Sequence, residues 1–151
     1  MKPGFERILS GAADAINAEL VPHFRSNPAA AGHASMIRLI MLAAAQAADR
    51  EPDILMSEIA AMRRLFEAAA DTLLPGDLCD RLRAAVDEAQ PASFAISALT
   101  ELSNAMKAVM IELHVELEEI STPWARALEV QVWDILRVGA DRRQLNLRGM
   151  T

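Results

Sequence analysis

The densest cluster of reactive side chains is Glu112, His114, Glu116, Glu118 and Glu119. An imidazole among carboxylates is what metal ligation or acid–base catalysis requires. His114 and Glu118 are four residues apart, so on a helix they share a face and are the candidate metal pair. The wider pattern argues against a metal. Di-iron bundles repeat Glu-x-x-His on facing helices, and neither that motif nor His-Glu-x-x-His occurs. The other two histidines, His23 and His33, fall in or beside one expected loop. The alternative for the acids is a face paired with Arg126, Arg137, Arg142 or Arg143, from the same chain or a second subunit.

Other chemistry is thinly represented. Cys79 is the sole cysteine, flanked by Asp77 and Asp80, which disfavour a thiolate, so a buried structural role is expected. A lone cysteine forms no intrachain disulfide and fits a reducing compartment. There is no Gly-rich phosphate loop and no Gly-x-Ser-x-Gly elbow. Arg63-Arg64 and Arg81-x-Arg83 read as solvated helix faces. No cofactor signature is present, and the pattern leans away from an enzyme.

Association is better represented. In the last expected helix, Trp124, Leu128, Ile135 and Val138 share a core stripe, whereas Val130 and Trp133 fall on another side with Arg126 and Arg137. Trp beside Val and Arg is the composition of an interface anchor. The competing reading is a neighbouring helix covering Trp133. A third feature is methionine: Met36, Met62, Met106 and Met110, with Ile40, are candidates for lining an apolar pocket inside a bundle, although such stripes more often fill cores.

These residues must be carried on helices. The 151 residues suit one domain, and 52% are apolar, led by Ala, Leu, Met and Ile. Punctuation by Pro, Gly and capping residues predicts about six helices, near 5–20, 34–50, 52–73, 77–89, 93–120 and 123–138. His23 to Gly32 reads as a loop, Pro52 as a first-turn proline, and Gly139 as a stop. The second helix has almost no polar face and is expected to be buried all round or to join a subunit interface. The expected architecture is an all-α, up-and-down bundle over 1–140 with a polar tail at 141–151.

The net charge of −6 disfavours nucleic acid as a partner. The apolar segment 34–48 is shorter than the ~20 residues a membrane span needs, and early charges interrupt any leader, so a cytoplasmic protein without a span is expected.

The runs ISALTELSNAMKAVMIELHVELE (96–118) and FERILSGAADAINAELVPHF (5–24) resemble a group of small all-helical bacterial proteins of the domain-of-unknown-function type. Their genes often lie near acyl-CoA dehydrogenase or small-molecule phosphotransferase genes. The resemblance implies an accessory role in the metabolism of acyl or other small carboxylic compounds and carries over no catalytic residue. Three expectations follow: a non-catalytic protein acting as homodimer or accessory subunit of a metabolic enzyme; a binding module for an apolar or acyl small molecule; and an enzyme using His114 and its neighbouring glutamates.

Overall fold

The computed structural model describes residues 4–24 and 26–145, and these are all-α. Five α-helices form: α1 (Phe5–Ala15), α2 (Pro28–Ala70), α3 (Asp77–Glu88), α4 (Ile96–Glu119) and α5 (Pro123–Arg142). The expected six become five because the second and third merge into α2, 43 residues long with Pro52 inside it. A mid-helix proline forfeits one backbone hydrogen bond and crowds the preceding turn, at a cost of ~3 kcal/mol, yet the helix continues.

Two further boundaries differ from expectation. α2 starts six residues before the expected helix, inside the expected loop, because Asn27 caps it: its Oδ1 accepts from the Ala30 amide at 3.2 Å. Pro28 then takes the first-turn position that suits its fixed φ. After α1 the chain first loosens into a π-helical turn at Ile16–Leu20 and then tightens into a 3-10 turn at Val21–Phe24 that contains Pro22.

The chain divides at Pro52 into two compact units. The first comprises the described residues up to Glu51 with Gln144 and Leu145; the second is Pro52–Arg143. In the first unit, Ala13, Ala34 and Ala45 are buried, while Met36, Ile37, Leu39 and Ile40 are exposed. The expectation that this stretch is buried all round is therefore corrected. Its buried positions are alanines, too small to draw the larger neighbours under cover. At its full length α2 is long and apolar enough to cross a membrane, by length and composition alone, and little of its apolar window is buried.

The second unit holds the core. Leu55, Ile59, Met62, Phe66 and Ala69 of α2 meet Cys79 and Leu82 of α3, Leu99, Met106, Met110, Leu113 and Leu117 of α4, and Ala125, Leu128 and Val132 of α5. Each large side chain buried this way contributes ~1.5–3 kcal/mol. α3 and α5 both pack against α4. The α4–α5 connection is only Ile120–Thr122, which makes those helices antiparallel neighbours. Thr122 Oγ1 accepts from the Ala125 amide at 3.4 Å, and Pro123 follows in the first turn.

Gly139 does not end α5; the helix continues to Arg142, and Arg143 closes it. The first residues of the expected tail are thus helical, while 146–151 lie outside the described residues. A Cβ at Gly139 would overlap Glu58 Oε1, so glycine is needed for close approach to a carboxylate rather than for a stop.

Candidate interaction surface

The helical repeat of α4 buries Leu99, Ser103, Met106, Met110, Leu113 and Leu117, spaced alternately by four and three. That repeat leaves Ile111 and Val115 off the buried stripe, at 63% and 57% exposure. On α5 the buried positions are Ala125, Leu128, Val132 and Gly139. Val138, expected in the core stripe, is instead exposed, because the stripe is centred on Val132. Val130 and Trp133 lie outside it at 60% and 56% exposure, and Leu136 is exposed beside them. Arg126 and Arg137 are also exposed, at the two ends of the same helical stripe.

The antiparallel pairing brings these leftovers onto one surface. A groove of about 230 Å³ between α4 and α5 is lined by Met110, Ile111, His114, Val115, Trp133 and Leu136, with Lys107 at its edge. Trp133 meets the His114 ring edge-to-face at a centroid separation of 5.5 Å. His114 Nε2 is sealed from solvent without a hydrogen-bond partner, 3.9 Å from Glu129 Oε1. That distance exceeds hydrogen-bond range. His114 thus turns toward α5, whereas Glu118 is exposed. Among the described residues, no three His, Cys, Asp or Glu side chains converge as a metal site would require.

Of the arginines expected to face the acidic cluster, Arg137, Arg142 and Arg143 are engaged elsewhere in the chain. Glu112 pairs with Arg81 of α3, at 2.6 Å. Arg137 is engaged along its own helix by Asp134 at 3.0 Å and Asp141 at 3.6 Å. Arg142 donates to Ser57 Oγ at 2.5 Å. Sequence spacing gave no way to see that α3 supplies the cation, because helix adjacency decides it.

The pocket candidates separate as well. Met36 and Ile40 belong to the first unit and are exposed. Met62 and Met106 are packed in the core of the second, and Met110 is buried beneath the α4–α5 groove. Cys79 is buried, its thiol donating to the Ala70 carbonyl at 3.5 Å.

A buried polar centre lies behind this surface. Glu58 of α2, 8% exposed at its side chain, receives Lys107 Nζ at 3.0 Å and Arg143 Nη2 at 3.2 Å on Oε2, with Arg143 Nη1 on Oε1. Ser103 Oγ donates to Oε2 at 3.5 Å. Burial opposes the charge on Glu58, and the hydrogen bonds from Arg143 and Lys107 more than offset it, holding the carboxyl below its ordinary pKa. The network joins α2 and α4 to the end of α5, and so fixes the helices that carry the exposed apolar surface.

The sequence places Val130 and Trp133 off the core stripe, and both are exposed; Ile111, Val115 and Leu136, not singled out from the sequence, are exposed as well. The signal was present, since Ile111 and Val115 fall off the α4 core repeat. Glu58 also gave a signal, as an acid in the apolar run Leu55, Ile59, Met62. Comparison of the chain with protein-family models, curated proteins and solved structures yields no match.

Proposed function

We propose that the protein acts through association, as a homodimer in which the α4–α5 face of one copy closes on that of another. The observation that carries this reading is the joint exposure of Ile111, Val115, Trp133 and Leu136 around one groove, with exposed Val130 one turn from Trp133 on the same helix face. Together these side chains offer roughly 500 Å² of apolar surface, near the top of the ~300–600 Å² range for the largest patch on a monomer. That is well over half of the ~800 Å² each partner gives to a standard interface. A second copy is favoured because one face holds both the projecting anchors and the groove. A two-fold contact pairs such a face with itself.

Trp133→Ala is the direct test. Truncating an anchor costs at least ~2 kcal/mol per copy, and a two-fold interface contains two copies, so dimer affinity should fall roughly a thousandfold. Sedimentation should find the variant monomeric at concentrations where the parent is dimeric, with unchanged helix content by circular dichroism. An unchanged dimer would reject this face. A parent that stays monomeric at every concentration would reject self-association and favour docking on a metabolic enzyme as accessory subunit.

A further inference from the structure

We infer that the α4–α5 face is proton-linked: uptake of a proton by His114 completes an ion pair with Glu129 and tightens the contact between two copies. The inference rests on the self-association proposed above and names what regulates it. Two incomplete groups sit side by side behind the exposed apolar residues. His114 Nε2 is sealed from solvent and has no hydrogen-bond partner. Glu129 Oε1 stands 3.9 Å from it, and among the described residues Glu129 makes no other ion pair or hydrogen bond. Their side chains are 21% and 36% exposed. Glu129 lies one turn before Trp133 on α5, and the His114 ring meets Trp133 edge-to-face. Both groups therefore border the anchor that a second copy would cover.

The charge states account for the linkage. A neutral imidazole has one donor and one acceptor nitrogen, and neither role is met at Nε2. Beside it the Glu129 carboxylate carries an uncompensated charge. Covering the face strips water from that charge, which opposes association. Protonation makes both ring nitrogens donors. Nε2–H then donates to Glu129 Oε1 once the pair closes by about 1 Å, to the ~2.8 Å of a charge-assisted bond. One proton thus supplies the missing partner to both groups, so the closed face takes up protons and is favoured as pH falls. The neighbouring charges leave this pair to itself. Lys107, at the groove edge, is held by Glu58. Arg137 of α5 is held by Asp134 and Asp141. On the α3 side of α4, Arg81 holds Glu112. Glu118, one turn after His114, and Arg126, one turn before Glu129, are exposed to solvent.

Sedimentation equilibrium at pH 6 and pH 8 tests this. Carboxylates, lysines and arginines keep their charge across that interval, whereas imidazoles change theirs. His23 and His33, the other two histidines, belong to the first unit. The parent dimer should be roughly tenfold tighter at pH 6, a few-fold from each of the two partly exposed pairs. Glu129→Gln keeps the shape of the side chain and the Trp133 contact but offers no carboxylate, so its dimer affinity should be the same at both pH values. His114→Gln should likewise lose the pH response. A parent affinity that is equal or weaker at pH 6, or a Glu129→Gln variant that keeps the parent's response, would overturn the inference while leaving the dimer itself intact. A parent monomeric at both pH values would instead reject the self-association, and this inference with it.

Discussion

Replacing Gly139 with alanine pits two effects of opposite sign against each other. In a helix interior, Gly→Ala ordinarily stabilises by ~1 kcal/mol. Here the added methyl would overlap Glu58 Oε1 and lie 3.4 Å from both Glu58 Cδ and Arg143 Nη1. The carboxylate ends a flexible side chain but is buried and held by Lys107 and Arg143, so moving away weakens those bonds. Breaking a fully buried ion pair costs ~3–5 kcal/mol. Arg143 and Lys107 are 35% and 33% exposed, and that solvent access reduces the loss to about 2–3 kcal/mol. After the propensity gain, Gly139→Ala should be destabilising by about 1–2 kcal/mol. For a unit of this size that lowers the melting temperature by roughly 10 °C. Both tryptophans lie in this unit, so a fluorescence-detected melt reads it directly. Repeating the substitution in a Glu58→Ala background should remove most of the penalty, as expected for two residues in contact. A melting temperature that is unchanged or raised in the parent background would refute the close approach of Gly139 to Glu58.

The lowered pKa of Glu58 fixes a direction with pH. Its folded pKa lies below the unfolded one, so its contribution is complete above the ordinary glutamate value of ~4.3 and fades as pH falls through the folded value. Glu58→Gln should therefore be less stable than the parent near pH 7, with the gap narrowing toward pH 3 in denaturant titrations; a constant gap would contradict the ionised pair. Gly32→Ala in α2, where an added Cβ meets nothing within 4 Å, should raise stability by ~0.5–1 kcal/mol, read by circular dichroism. Thr122→Ala should lower it by ~0.5–1 kcal/mol through loss of the α5 cap, with Thr122→Ser restoring most of the loss.

The all-α class was legible because Ala, Leu, Met, Glu and Arg dominate and apolar residues recur at three and four. The start of α3 was legible from the Pro75-Gly76 break just before Asp77, and that of α5 from the Thr122-Pro123 cap. Pro52 misled because local preference predicts a helix start there, whereas the backbone continues through it. Gly139 misled for a related reason. Glycine after an amphipathic run usually marks a C-terminal stop, and only the position of Glu58, 81 residues earlier in the chain, reveals close packing. Trp133 could be placed off the core stripe from its angular position alone. Its neighbours on α4 required knowing that α4 and α5 pair antiparallel, and the Arg81–Glu112 pair required knowing that α3 packs on α4.

The most direct test of the proposed association is sedimentation equilibrium of the parent and Trp133→Ala proteins over a shared concentration series. A parent mass rising to twice that of one chain, with the variant remaining at one, is the predicted result. Equal masses for the two proteins at every concentration would contradict the assignment of the α4–α5 face as the dimer contact.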